Sequence, residues 1–215
     1  MGFNLEGLLL RLPVVLFALT VHEFMHGWVA HKCGDDTALH AGRLTLNPLP
    51  HLDFLGTLCL MFAPIGWAKP VPVNPANFAY ETRRRDEILV SGAGVAANFA
   101  MGIGFALLIR FIGPTLATAG EVAPIVLTIL FFGAFINFGL AVFNLLPIPP
   151  LDGSHILENL LPAGAAIRFR EFRRYGMFLL LGFVFLSHLV GRSTGVSLLG
   201  YPISRLVYIF SGYPF

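Results

Sequence analysis

Apolar residues fall into long blocks along this chain, separated by short polar segments that carry prolines and arginines. Four blocks, 8–30, 88–112, 122–146 and 175–190, are long enough, or nearly so, to cross a hydrocarbon core roughly 30 Å thick. The last is short and would need local thinning or a partly interfacial position. A fifth apolar segment, 196–210, is broken by Pro202 and Arg205 and reads as re-entrant or interfacial. The second block is rich in small residues, among them Gly92, Ala93, Gly94, Gly102 and Gly104, which let helices approach closely in lipid. Segment 41–78 departs from the pattern. It holds Pro48, Pro50, Pro64, Pro70, Pro72 and Pro75, two β-like pieces (43–46 and 69–73), and an apolar stretch between them. Prolines confine such pieces to edge strands and turns, so a hairpin that dips into the membrane beside other elements is expected. The pattern therefore predicts an all-α integral membrane protein, a single domain over 1–215 with four or five transmembrane helices and a small membrane-associated β-hairpin.

Composition agrees with that reading. Of 215 residues 56% are hydrophobic and only 12% charged, and the mean hydropathy is +0.75. A soluble domain carries about 25% charged residues. The net charge of +2 gives no reason to expect a nucleic-acid partner; the bilayer is the expected surroundings. Where the cations sit says more than their sum. Lys69 and Arg83 to Arg85 lie between the first and second blocks, and Arg168, Arg170, Arg173 and Arg174 between the third and fourth. The turn 113–120 has no basic residue. Basic loops face the cytoplasm, which predicts an N-terminus outside and the C-terminal half of the first span toward the cytoplasm. The first residues are acidic and Arg11 interrupts the apolar run, so a cleaved signal peptide is not expected. Cys33 and Cys59 suggest buried thiols rather than a disulfide framework.

Candidate chemistry lies within the first block. His22-Glu23-Phe24-Met25-His26 puts two histidines four residues apart on one helical face, where both can reach one Zn²⁺. Glu23, beside the first, is placed to take a proton from a water at the metal. Ionisable groups at membrane depth are expensive and mark a functional site. A catalytic zinc has three protein ligands and one open position, so a third ligand must come from elsewhere. Asp152 is the candidate, following Pro147, Pro149 and Pro150 and preceding Gly153, where a helix breaks and the chain turns tightly. Taken alone, Asp152 also reads as the cap of the helix that follows. His31, His40, His155 and His188 read as packing or loop residues, whereas His51 is a candidate to line the site.

These motifs, with Gly42 to Pro48, Gly66 to Pro75, and Asn144 through Pro149-Pro150-Leu151-Asp152-Gly153, resemble the site-2 protease family of intramembrane zinc metalloproteases. The resemblance covers roughly 17–157, in the family's order. It implies that His22, His26 and Asp152 bind zinc, that Glu23 is catalytic, and that Asn144 helps hold the substrate or the oxyanion. Asn98 and His51 are further candidates for that contact. Two positions depart from the pattern: Phe54 stands where a proline is common after His51-Leu52-Asp53, and Val95 where a proline is common after Gly94. Neither touches the zinc set; both bear on hairpin shape and substrate gating. The turn 113–120 is too short to hold an inserted PDZ domain, so the chain resembles a compact member. The implied substrates are single-span membrane proteins such as membrane-bound regulators, and the implied location is the plasma or inner membrane of a prokaryotic cell. The alternative is a non-hydrolytic membrane protein, either a metal transporter or an inactive chaperone-like homologue. A transporter would carry polar ligands along several spans, and an inactive homologue would have lost Glu23 or a ligand. The oligomeric state is not set by any of these features.

Overall fold

The computed structural model describes residues 5–62, 66–116, 120 and 122–213. Their α-helices are α1 (Leu5–Lys32), α2 (Thr37–His40), α3 (Phe54–Phe62), α4 (Arg83–Leu116), α5 (Ala123–Asn144), α6 (Asp152–Leu160), α7 (Ala163–Glu171), α8 (Gly176–Thr194) and α9 (Gly200–Ser211). Four helical stretches are long and apolar enough to cross a membrane: Leu9–Lys32, Arg83–Leu116, Ala123–Asn144 and Ala163–Thr194. The chain is an all-α integral membrane protein. In lipid every backbone N–H and C=O must be satisfied by the protein itself, and a helix does so within a single segment, which is why these apolar blocks are helical.

Helix α4 runs beyond its apolar block at both ends. Its first turn is tied by Thr82 Oγ1 donating to Asp86 Oδ2 at 2.5 Å, and its last turn continues through Pro114 to Leu116. Part of the expected turn 113–120 is thus helical, and residues 117–119 of it lie outside the described residues. Helix α9 spans about 18 Å at 1.5 Å per residue, too little for a crossing. It packs instead against α4 and α5, where Ala106, Ile109, Leu130, Ala134, Phe138, Ile203 and Val207 form the main apolar core. Small residues make this packing close. A Cβ on Gly102 would lie 2.8 Å from the Phe138 ring, and Gly133 stands in the same relation to Phe105 at 2.5 Å.

The expected β-hairpin does not form among the described residues. Its β pairing is reduced to one isolated antiparallel bridge, Leu52 to Ala68, and Phe54–Phe62 between them is helical. Residues 63–65 lie outside the described residues. The reason is local. Leu55, Leu58, Leu60 and Met61 are helix formers with no branch at Cβ, and Asp53 Oδ1 accepts the Gly56 N–H at 2.8 Å, closing the first turn as a cap does. The piece 69–73 forms no ladder, because Pro70 and Pro72 have no N–H to give one, and each holds the residue before it, Lys69 and Val71, to extended backbone.

Candidate metal centre

Three side chains from two helices converge on one point. His22 and His26 come from α1, one turn apart, and Asp152 is the first residue of α6. The two Nε2 atoms lie 3.0 Å apart. Asp152 Oδ2 is 3.1 Å from His22 Nε2 and 3.4 Å from His26 Nε2. Among the described residues these are the three side chains whose ligand atoms cluster closely enough to hold one metal ion.

Hydrogen bonds behind the rings decide what those atoms offer. His22 Nδ1 lies 2.5 Å from Asn98 Oδ1, and His26 Nδ1 lies 2.7 Å from the Val90 carbonyl. Asn98 directs its Nδ2 to Ala18 O at 3.2 Å and to Asn137 Oδ1 at 2.8 Å, so its oxygen faces His22. Both Nδ1 partners can only accept, so each Nδ1 carries its ring's proton and each Nε2 presents a lone pair. Two lone pairs and a carboxylate oxygen then meet with no proton between them, an arrangement that repels unless a cation lies at its centre. Asp152 Oδ2 is buried and accepts no hydrogen bond. Tetrahedral zinc with ligands at about 2.0–2.1 Å sets neighbouring ligand atoms about 3.3 Å apart. The observed spacings of 3.0, 3.1 and 3.4 Å fit that ion.

One stripe of α4 builds the back wall. Val90, Gly94 and Asn98 are four residues apart and so share a face. The first supplies a carbonyl and the last an amide oxygen, while Gly94 supplies space. A Cβ at Gly94 would lie 2.5 Å from His26 Nε2 and 2.7 Å from His22 Cε1. The glycine has an ordinary helical backbone; what it provides here is close approach. The small residues of this block, which suggested only helix packing in lipid, include the one on which both histidines rest.

Asp152 points inward because of the break before it. Residues 147–151 leave the helical path, the N-cap position of α6 falls on Leu151 and not on Asp152, and Asp152 Oδ2 is not spent on a hydrogen bond. Gly153 sits against the Leu145 and Leu146 carbonyls where no side chain fits. The far end of α6 is braced: buried Glu158 pairs with Arg170 at 2.7 Å and Arg173 at 2.8 Å, and Asn159 donates to Glu87 on α4 at 2.9 Å. Burial and the nearby Arg173 guanidinium hold the His155 imidazole below its ordinary range.

Glu23 Oε2 accepts the Val71 N–H at 2.8 Å. The extended segment that carries Val71 is tied down along its length. Lys69 N donates to His51 O at 2.8 Å, Arg43 Nη2 to Lys69 O at 2.6 Å, and Asn74 N to Asp35 Oδ2 at 2.6 Å. Asp35 is fully buried and also accepts from Thr37 and Asn77. Burial pushes its carboxyl up, but the hydrogen bonds from Thr37, Asn74 and Asn77 outweigh it and hold the group below the usual carboxylate range.

The other sequence candidates stand elsewhere. Asn98 is fully buried with its amide engaged on both sides, so it backs a histidine and has no open side for a substrate. Asn144, the last residue of α5, donates its Nδ2 to Leu140 O in its own helix at 3.1 Å. His51 is buried and bonds through Nε2 to Thr45 O at 2.9 Å, which anchors the loop. From the sequence Gly94 stood out only as a small packing residue and as the neighbour of Val95, and the Val71 amide and Asn137 were not singled out. For Asn137 a signal existed, since it is an amide in the middle of an apolar span.

The chain is similar in sequence to known proteins. A model of peptidase family M50 matches residues 111–187, the part that contains Asp152. "Putative zinc metalloprotease YwhC" of Bacillus subtilis is 42% identical over 172 residues, covering 78% of this chain and 76% of that protein. "Putative zinc metalloprotease Rip2" of Mycolicibacterium smegmatis is 34% identical over 146 residues, 66% of this chain and 54% of that protein. Its namesake in Mycobacterium tuberculosis is also 34% identical, over 148 residues. No solved structure matches the chain. With identity of this extent to YwhC and a family model over residues 111–187, the chain belongs to peptidase family M50.

Proposed function

We propose that His22, His26 and Asp152 hold the zinc ion, that Glu23 is the general base and then the general acid, and that the substrates are membrane-spanning segments of other proteins. The protein is an intramembrane zinc metalloprotease. The reading of the site rests on one observation above all: two histidine lone pairs and an unpartnered carboxylate oxygen converge at zinc-like spacing. When bound, zinc acts as a Lewis acid that polarises a peptide carbonyl and brings the pKa of a water toward about 7.

The chain's own residues supply the rest. The Val71 amide holds Glu23 Oε2, which orients the carboxylate and leaves Oε1 to receive a proton and later return it to the leaving amine. Asn98 and the Val90 carbonyl keep both ring protons on the side away from the reacting atoms. The substrate runs beside the extended residues 69–73, not 57–62, which are helical. With Pro70 and Pro72 lacking N–H groups, that segment offers mainly carbonyl acceptors to an unwound substrate. The basic segments around Arg83–Arg85 and Arg168–Arg174 orient the protein with the zinc toward the cytoplasmic side of a prokaryotic plasma membrane and the N-terminus outside.

The test is cleavage of a single-span reporter by reconstituted protein. Glu23→Gln should retain about one zinc per chain and lose cleavage, and Asp152→Ala should lose the metal. Near-normal cleavage by Glu23→Gln would remove this mechanism.

A further inference from the structure

Asn137 is an amide in the middle of α5, a helix otherwise apolar over this stretch, and it is fully buried. A buried amide at membrane depth is costly unless each polar atom is paired. Here the pairing has a direction. Asn137 Nδ2 donates to the Gly133 carbonyl at 2.8 Å. That turns Oδ1 outward, where it accepts from Asn98 Nδ2 at 2.8 Å. Asn98 Nδ2 also donates to Ala18 O, and Asn98 Oδ1 faces His22 Nδ1. The chain of bonds therefore begins on a backbone carbonyl of α5, which can only accept, and ends on a histidine.

The geometry points to Asn137 as a positioning residue that fixes the tautomer of His22 through Asn98. The inference rests on the reading of His22 as a zinc ligand. If the Asn98 amide were reversed, its NH₂ would face His22 Nδ1, that nitrogen would have to accept, and the ring proton would move to Nε2. An Nε2–H would point at His26 and Asp152 and block the lone pair that a metal needs. Reversal is opposed at two places. It would bring Asn98 Oδ1 against Ala18 O, and against Asn137 Oδ1, which cannot turn away without giving up Gly133 O. Of the two contacts, the one to Asn137 is the shorter. Thus a residue on α5, with no contact to the metal-facing atoms, holds the proton of a ligand on α1 on its far side. His26 needs no such relay, since a backbone carbonyl, which cannot reverse, accepts from its Nδ1.

The experiment is a double-mutant cycle read by zinc affinity, measured by chelator competition on detergent-purified protein. Asn98→Ala should weaken zinc binding about 10- to 100-fold and Asn137→Ala roughly tenfold, the range for partners of metal ligands. Because Asn137 acts only through Asn98, adding Asn137→Ala to Asn98→Ala should change affinity by less than about twofold. A packing defect would give the same loss in both backgrounds, and that result, or an Asn137→Ala affinity within about twofold of wild type, overturns the inference. If Asn137→Ala does not fold, Asn137→Ser takes its place. Its hydroxyl can still donate to Gly133 O but is too short to restore the contact to Asn98. His22→Ala is measured alongside. Zinc retained by that variant would sink the ligand assignment itself, whereas zinc lost there but kept in Asn137→Ala sinks the relay alone.

Discussion

Gly94→Ala is the sharpest test of how the site is built, because it adds one methyl group and alters no ligand. The new Cβ would lie 2.5 Å from His26 Nε2, where ordinary contact starts at 3.4 Å, so the rings or α4 must give way by about 0.9 Å. Zinc sites keep their ligand distances within about 0.2 Å. A shift several times that size cannot be absorbed while His22, His26 and Asp152 still share one ion. Loss of a partner behind a ligand costs about 10- to 100-fold in metal affinity, and displacement of both ligands should reach the upper end, about 100-fold. Alanine also favours a helix over glycine by about 1 kcal/mol, so the fold itself should survive. Gly92→Ala is the control, since a Cβ there meets nothing within 4 Å. It should leave zinc unchanged and raise stability slightly. Chelator competition reads the affinity, thermal melting of the metal-free proteins reads the fold, and reporter cleavage should fall with the zinc. A Gly94→Ala protein that binds zinc within about threefold of wild type would refute the account of α4 as a wall pressed against both rings.

Three further outcomes are expected. Val71→Pro removes the N–H that Glu23 accepts in a segment already flanked by Pro70 and Pro72; cleavage should drop about tenfold with zinc content unchanged, and equal loss of both would make the segment merely structural. Asp35→Ala should destabilise the protein by about 2–4 kcal/mol, measured by thermal melting, because it strands several donors. Since the folded Asp35 carboxyl lies below its unfolded value of about 3.9, its contribution is present above that pH and is lost as pH falls through the folded value, so wild type and variant should converge only in acid. Single cysteines at exposed positions 168 and 122, in a protein lacking Cys33 and Cys59, should label from the cytoplasmic and the outer side respectively, and the reverse pattern would invert the orientation.

The sequence by itself determined the class of the protein and the identity of the converging groups. Apolar blocks of bilayer length have one backbone solution in lipid, so α1, α4 and α5 were legible from composition alone. The spacing of His22 and His26 places both on one face of any helix, and the proline-broken approach to Asp152 marked a residue turned away from helical duty. Helix α3 was misread because apolar length and bounding prolines suit either a dipping strand or a short helix. The Asp53 cap and leucines without a branch at Cβ decided between them. What only the tertiary structure decided is how the site is held. The Val90 carbonyl and the Val71 amide carry no side-chain signature, since backbone groups are alike along a chain, and Gly94 was visible as a small residue while the two rings it faces were not. Asn98 and Asn137 were visible as amides, but a hydrogen bond's direction depends on which carbonyl each amide meets. That was set by the packing of α1, α4 and α5 against one another.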